Sequence, residues 1–440
     1  MIVKMETLIH QHNFSNLWGT STHFNSRFMR EKIEKRFIEV LVFSIPASKF
    51  IEIETIGRLF ATDIIILAIF PLILFTKHKR FKDRIVRLVI FFGVLWLCSQ
   101  ILTDIVRNTQ SYDYYRGWAK ICVSLIHFTT LYLLIYNRKR RLVLFALGLS
   151  IGGIIEYYYN PGIYAIDYPW KFGLGMPLTL LIVVVASLLY KRSFILSVSL
   201  LSFAFMLNLY MDFRSLSGVC FLSTIHLSLQ WWWAKTNKYQ NYISTKQLFT
   251  IGACLSISSY IFITGYGQLA NQGFLGVRAQ QKYKLQSSGD LGILVGGRSE
   301  ILVASQAIIN SPIIGYGSWA KDYLYADSLN YLLRDLGYIP SAFNDLELIP
   351  THSHFFGAWV EAGVCGALFW GFIFILAVRF LTVFYQTKNN LNILATFIAF
   401  FLMWDILFSP FGADQRFIKP YYIIVILNFL NGKPKILTNN

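Results

Sequence analysis

Hydrophobic runs alternate with short polar connections along most of the chain. A helix needs about 20 largely apolar residues to cross a bilayer, and such windows fit at about twelve positions. The sequence therefore predicts an all-α polytopic membrane protein with about twelve transmembrane helices. Residues 267–354, between the ninth and tenth predicted spans, form the longest interval that is not plainly membrane-spanning.

The same pattern divides the chain into four parts. Residues 1–36 carry many polar and charged groups and are predicted to form a cytoplasmic or interfacial N-terminal segment. Residues 37–266 are expected to hold spans one to nine, and residues 267–354 a large, partly helical periplasmic loop. Residues 355–440 are expected to hold spans ten to twelve and a cytoplasmic C-terminus.

The charge distribution supports a membrane protein with this orientation. Only 14% of the residues are charged, against about 25% in a typical soluble protein. The net charge of +17 comes mostly from Lys and Arg clusters at every second connection, such as residues 77–84 and 138–141. Because basic clusters remain on the cytoplasmic side, both termini are predicted inside and the loop 267–354 outside. The bilayer explains the basic residues, so nucleic-acid binding is set aside.

The five cysteines lie far apart in apolar runs, without the spacing of a disulfide framework or a zinc site. The predicted outer connections also lack an Asp-x-Asp metal motif. No metal and no cofactor are therefore expected.

Aromatic residues gather in the predicted outer connections, among them Tyr112, Tyr114, Tyr115 and Trp170. Most are typical of the aromatic belt at a membrane surface. Stacking on sugar rings is the alternative.

Arg214 lies in a connection of only a few residues, 211–215, that the charge pattern places outside. An arginine there opposes the positive-inside bias, so it needs a partner or a role. It could pair with Asp212 or Asp104, or it could bind an anion at the membrane surface.

Arg298 precedes a segment, residues 299–310, with helical spacing of apolar side chains and a stop signal at its end. The predicted buried stripe consists of Ile301, Leu302, Ala304, Ile308 and Ile309. An arginine beside the exposed N–H groups of a helix N-terminus suits a phosphate or diphosphate, which it can hold with two parallel hydrogen bonds. A simple pairing of Arg298 with Glu300 is the alternative.

His352 and His354 come just before the tenth predicted span. A neutral imidazole can accept the proton of a sugar hydroxyl that attacks an anomeric carbon, although isolated histidines at this level are usually structural. Glu361 follows His352 by nine residues, which favours an orienting or packing role. On a continuous helix, residues two apart differ by about 200°, so only one of the two histidines is expected to face the substrate.

These residues together resemble the signature of the O-antigen ligase and O-antigen polymerase superfamily. The resemblance rests on Gly297-Arg298 with the following helix, Ser311-Pro312, Gly315-Tyr316-Gly317, and His352 followed at fixed spacing by Glu361, Gly363 and Gly366. His352 is followed by Ser353 where the family commonly has Asn. The long outer loop and the turn from Ser409 to Arg416 are similar as well.

The resemblance implies a bacterial inner-membrane glycosyltransferase whose site faces the periplasm. Such enzymes take a glycan from undecaprenyl diphosphate and transfer it, without a metal, to a hydroxyl of another lipid-linked glycan or of lipid A-core. By resemblance, His352 is the catalytic base, Arg214 and Arg298 hold the donor diphosphate, and His354, Glu361 and Arg416 support the site. A chain-length regulator and a flippase are the implied protein partners.

Two questions stay open at the level of sequence. The sequence does not decide between polymerisation and ligation to lipid A-core, because both reactions use the same donor and the same base. Polymerisation of O-antigen, capsule or exopolysaccharide repeat units is favoured slightly, since polymerases of this type serve capsule and exopolysaccharide systems as well as lipopolysaccharide. The competing functional class is a flippase of lipid-linked sugars. Such transporters often place charges inside their spans, whereas here the polar groups collect in one outer loop. A purely structural membrane protein leaves Arg214 and Arg298 unexplained.

Overall fold

The computed structural model describes residues 32–54, 57–77, 81–236, 245–287, 299–335, 347–382 and 391–430. This part of the chain is almost entirely α-helical, which confirms the predicted helical class. Most of the predicted N-terminal segment, together with Gly297 and Arg298, lies outside the described residues.

The first half of the chain forms consecutive helices joined by short turns. They are α1 (residues 32–47), α2 (Ala61–Lys77), α3 (Arg84–Arg107), α4 (Ser111–Ile135), α5 (Lys139–Tyr159), α6 (Ile163–Asp167), α7 (Gly175–Leu189), α8 (Phe194–Tyr210) and α9 (Arg214–Thr236). A 3₁₀ turn (Ser48–Phe50) follows α1, and a π-helical turn (Pro169–Leu174) precedes α7.

Between α1 and α2 the chain forms a small antiparallel hairpin. Its strands are β1 (Glu52–Glu54) and β2 (Arg58–Phe60), and Ile53 pairs with Leu59 at the centre of the register.

The second half continues with helices that are shorter on average. They are α10 (Thr245–Asn271), α11 (Val277–Ser287), α12 (Glu300–Asn310), α13 (Tyr323–Asp335), α14 (His354–Ala362), α15 (Val364–Thr382), α16 (Asn392–Phe408) and α17 (Gln415–Leu430). Helices α11 to α13 lie within the interval 267–354, so the predicted loop is partly helical, as expected.

Six helices in the described residues are long and apolar enough to cross a membrane. They are α3, α4, α5, the continuous segment Pro169–Leu189, most of α10 (Phe249–Asn271) and α15. Helices α8 and α16 are apolar but only 17 residues long each, and α17 has 16 residues and contains Pro420. The chain therefore has several membrane-crossing candidates, and the structure does not confirm the count of about twelve.

The tenth predicted span is not one continuous helix. It is divided at Gly363, which has φ +67° and ends α14 before α15 begins. A Cβ atom at Gly363 would lie 1.8 Å from the carbonyl oxygen of Ile313. The glycine therefore permits both the backbone break and the close approach of the segment after α12. The sequence did not predict this break.

The main hydrophobic core centres on α16 and α17, whose side chains are buried along most of the length of each helix. Helix α16 packs against α9 and α15, and α17 packs against α4 and α16. This arrangement fixes the α16–α17 turn, residues 409–414, at one end of the helices, beside the start of α14.

A second, smaller core joins α12, α13 and α14 through Val303, Ile308, Tyr325 and Val360. Helix α12 ends at Asn310, as the stop signal predicted. The predicted buried stripe of α12 was partly wrong, because Leu302 and Ile309 are 43% and 75% exposed. The buried face is instead formed by Val303, Ala304, Ala307 and Ile308, because this side of α12 packs against α14.

Candidate functional site

A cavity of about 970 Å³ lies where the hairpin, α4, the residues before α14 and the α16–α17 turn meet. Its lining includes four of the residues singled out in the sequence, namely His352, His354, Glu361 and Arg416. The cavity therefore brings together distant segments of the chain, since Arg58 and Arg416, which both line it, are 358 positions apart.

His352 is exposed and lies immediately before the N-terminus of α14. Ser353 is the N-cap: its Oγ accepts a hydrogen bond from the Phe356 N–H at 3.1 Å and donates one to the Ile406 carbonyl at 2.7 Å. These bonds fix the backbone beside His352, while its imidazole stays outside the helix.

His354 occupies the first position of α14 and is fully buried at the cavity wall. Its Nδ1 lies 2.6 Å from the Ser409 carbonyl oxygen, which can only accept, so Nδ1 carries the hydrogen. Burial lowers the pKa of His354 well below its ordinary value, and the Lys419 charge acts in the same direction. His354 is therefore a neutral imidazole of fixed tautomer.

The expectation that only one of the two histidines faces the cavity was wrong. Both line it. The expectation used the angular spacing of a continuous helix, but α14 begins at His354. His352 lies outside the helix, before the N-cap Ser353, whose backbone is extended at φ −154°. The two side chains differ instead in exposure, since His352 is open to the cavity and His354 is buried.

Glu361 forms an ion pair with Lys120 of α4 at 2.7 Å. The backbone carbonyls at this end of α14 also receive the turn after α12: Val360 accepts from the Tyr316 N–H at 2.8 Å, and Glu361 accepts from the Gly317 N–H at 3.0 Å. Glu361 therefore joins α14 to α4 and to this turn.

Asp104 of α3 anchors the same turn from the other side. Its buried carboxylate accepts hydrogen bonds from the Ser318 N–H at 2.6 Å, the Ser318 hydroxyl at 2.7 Å and the Trp118 indole at 2.7 Å. The next residue, Trp319, has φ +54°, a conformation that is uncommon for a bulky side chain and that only firm surroundings maintain. Trp319 lines the cavity.

The charged side chains that line the cavity among the described residues are mainly cationic. The cations are Arg58, Arg116, Lys120 and Arg416, and the carboxylates are Glu300 and Glu361.

Three of these four cations have a carboxylate partner at short range. Lys120 pairs with Glu361 at 2.7 Å, and Arg58 donates to Glu52 at 2.7 Å. Arg416, buried, contacts Asp63 at 2.5 Å. The positive charge of these side chains is thus largely compensated within the protein.

Arg116 differs from the other three. Its closest carboxylate, on Asp113, is 4.0 Å away and is bound more closely by Lys321, at 2.6 Å. The Arg116 guanidinium instead lies over the ring of Trp319 at 3.8 Å and over Tyr112 at 4.9 Å. The rings of Trp319 and Tyr112 therefore contact the Arg116 cation at the cavity.

Neither of the two arginines predicted to bind diphosphate is among the described residues that line the cavity. Arg214 begins α9, with its Nε 3.8 Å from Asp212 and its guanidinium over the Tyr266 ring at 5.0 Å; it is not among the residues that line the cavity. Arg298 lies outside the described residues, and Glu300, two residues further along, lines the cavity.

Arg116 and Lys120 were not found from the sequence. The argument applied to Arg214 could have found Arg116, because Arg116 also lies in a predicted outer connection, residues 104–117, which is rich in Tyr. Lys120 carries no such signal, since its role depends on α14 lying beside α4.

No family model matches this chain, and no curated protein is detectably similar to it. The class of protein that fold and site define is therefore an α-helical protein with several membrane-crossing candidates and one predominantly cationic, histidine-containing cavity.

Proposed function

We propose that the protein is a bacterial inner-membrane glycosyltransferase of the O-antigen polymerase and ligase type. It transfers a glycan from undecaprenyl diphosphate to a sugar hydroxyl in the cavity, on the periplasmic side. The observation that carries the proposal is that an exposed histidine, His352, shares one cavity with an arginine, Arg116, whose nearest carboxylate is 4.0 Å away. Polymerisation of repeat units is the favoured reaction, and ligation to lipid A-core is the alternative.

The reaction requires one base and an electrophilic partner for the leaving group. His352 accepts the proton of the acceptor hydroxyl as that oxygen attacks the anomeric carbon of the donor sugar. The bond between the anomeric carbon and the diphosphate oxygen breaks, and the electron pair leaves with the lipid diphosphate. A single displacement of this kind inverts the anomeric centre.

The negative charge that develops on the diphosphate needs preorganised donors. Arg116 suits this task, because a guanidinium can bind two phosphate oxygens in parallel. Its nearest carboxylate among the described residues is 4.0 Å away, so no close ion pair has to be broken first. Arg298 remains a second candidate on sequence grounds. Arg416 is assigned a supporting role, since its charge is directed to Asp63.

Deletion of the protein, followed by glycan analysis of the cell envelope, tests the function. For a polymerase we expect single repeat units in place of long chains. Long chains retained on the lipid carrier would identify a ligase instead. Single lipid-linked units confined to the cytoplasmic leaflet would identify a flippase and would contradict the proposal.

Cysteine labelling tests the side of the membrane on which the site lies. Asn271 is exposed at the end of α10, and Asn389 lies in a connection predicted to be cytoplasmic. In a variant lacking the exposed Cys98 and Cys122, we expect an impermeant thiol reagent to modify Asn271→Cys in intact cells and Asn389→Cys only after permeabilisation. The opposite labelling pattern would move the site to the cytoplasm.

A further inference from the structure

Three tryptophans that line the cavity have buried indole N–H groups without an acceptor among the described residues: Trp96, Trp319 and Trp370. By contrast, the indoles of Trp118 and Trp359 donate to protein oxygens at 2.7 and 2.8 Å. A buried donor without a partner costs free energy. Three such donors around one cavity indicate that acceptors come from outside the protein.

His354 adds a polar atom of the opposite kind. Because its Nδ1 hydrogen is donated to the Ser409 carbonyl, its Nε2 carries a lone pair and can only accept. Nε2 is buried and has no hydrogen-bond partner among the described residues. The cavity wall thus contains an unused acceptor as well as unused donors.

Two of these tryptophans and His354 belong to one aromatic cluster, which we call the aromatic floor: Trp96, His354, Trp370 and Phe411. The centroid of the Trp370 ring lies 4.8 Å from that of His354, 5.2 Å from that of Phe411 and 5.9 Å from that of Trp96. The four rings come from α3, α14, α15 and the α16–α17 turn, and all line the cavity. Aromatic faces of this kind pack well against the C–H groups of a pyranose ring.

The mixture of donors and acceptor discriminates between ligand classes. A phosphate oxygen could accept from the indoles, but a fully ionised phosphate offers no hydrogen to His354. An isoprenoid chain offers neither a donor nor an acceptor. A sugar hydroxyl is both donor and acceptor, so a polyhydroxylated ligand satisfies both kinds of nitrogen.

We propose that the aromatic floor is a glycan subsite. Trp96 and Trp370 donate to sugar oxygens, and His354 Nε2 accepts from a sugar hydroxyl and so positions the glycan. This inference rests on the proposed function, since it assigns the sugar part of the substrate to a specific wall of the same cavity. The ring nitrogens of Trp96, His354 and Trp370 are buried in this structure. The side chains of the floor therefore have to rotate to bring these nitrogens into contact with a sugar.

The indole N–H groups can be observed directly by NMR of the full-length protein, labelled with ¹⁵N-tryptophan, in lipid nanodiscs. The probes are methyl glycosides of common hexoses, deoxyhexoses and N-acetylhexosamines, with inorganic pyrophosphate and farnesol as comparisons. We expect the Trp96 and Trp370 signals, assigned from Trp→Phe variants, to shift with at least one glycoside and to stay unchanged with farnesol. The signals of Trp118 and Trp359, whose N–H groups are already bonded, serve as internal controls.

Two variants separate the hydrogen bonds from the packing. In His354→Asn the side-chain amide can still donate to Ser409, and the acceptor at the Nε2 position is lost. In Trp370→Phe the ring remains and the N–H is lost. For each variant we expect the Kd of the responding glycoside to rise about three- to tenfold, with pyrophosphate binding unchanged.

If no glycoside moved the Trp96 and Trp370 signals, the assignment of the aromatic floor as a glycan subsite would be refuted. Bound water would then be the partner of these indoles. A shift with farnesol alone would overturn the assignment in favour of a lipid site. This test is independent of the deletion phenotype. Glycoside shifts together with an unchanged cell envelope in the deletion strain would refute the proposed function and support the subsite. A changed envelope without any glycoside shift would support the proposed function and refute the subsite.

Discussion

Replacement of His352 by alanine is expected to lower glycan transfer by about 10²- to 10⁴-fold, the usual contribution of a general base. His352 is the exposed histidine of the cavity, and the adjacent Ser353 fixes the backbone from which it projects. Because the imidazole lies outside α14, its removal leaves the helix and its cap in place. The measurement is transfer of a lipid-linked glycan by the purified protein, with membrane abundance checked in parallel.

His354→Asn is the matched control, because it changes the neighbouring histidine and keeps the donor to the Ser409 carbonyl. We expect this variant to retain a measurable fraction of transfer, with the loss mainly in the KM of the acceptor. Activity that survives in His352→Ala and vanishes in His354→Asn would identify His354, not His352, as the base. Loss of either protein from the membrane would instead indicate a structural role for that histidine.

The sequence predicted well those features that depend on local chemistry. The helical class follows from long apolar runs, and the end of α12 at Asn310 follows from the Asn-Ser-Pro stop signal. His352, Glu361 and Arg416 line one cavity, and their assignment as functional residues stays a prediction.

The features that the sequence did not predict depend on contacts between distant segments. The break at Gly363 is set by the approach of Ile313 to α14, and an isolated glycine in an apolar run gives no sign of it. The face of α12 that is buried depends on where α14 lies, so helical spacing alone placed Leu302 and Ile309 on the wrong side. That both His352 and His354 line one cavity depends on the N-cap at Ser353.

The polar contacts of the site were unpredictable for the same reason. The pairs Lys120–Glu361 and Arg416–Asp63 join residues 241 and 353 positions apart. A single sequence gives no information about which charges meet across such distances. The partner of a buried charge decides whether that charge is available to a substrate, and this is why Arg116 became a candidate only in the structure.

Arg116→Ala is expected to lower the rate of transfer by about 10²- to 10³-fold, the cost of removing one preorganised donor at a developing negative charge. The loss should fall mainly on kcat, because the donor diphosphate gains charge in the transition state. Arg116→Lys should recover only part of the rate. An ammonium can neither bind two phosphate oxygens in parallel nor stack on Trp319 as a planar group.

Lys321→Ala is the control that distinguishes this role from a structural one. Lys321 binds the same carboxylate as Arg116, that of Asp113, at 2.6 Å, but it is not among the residues that line the cavity. If Arg116 acts on the diphosphate, transfer by Lys321→Ala should remain close to that of the unmodified protein. Equal losses in Lys321→Ala and Arg116→Ala would show that both residues only position Asp113, and full activity in Arg116→Lys would refute the two-oxygen contact with the diphosphate.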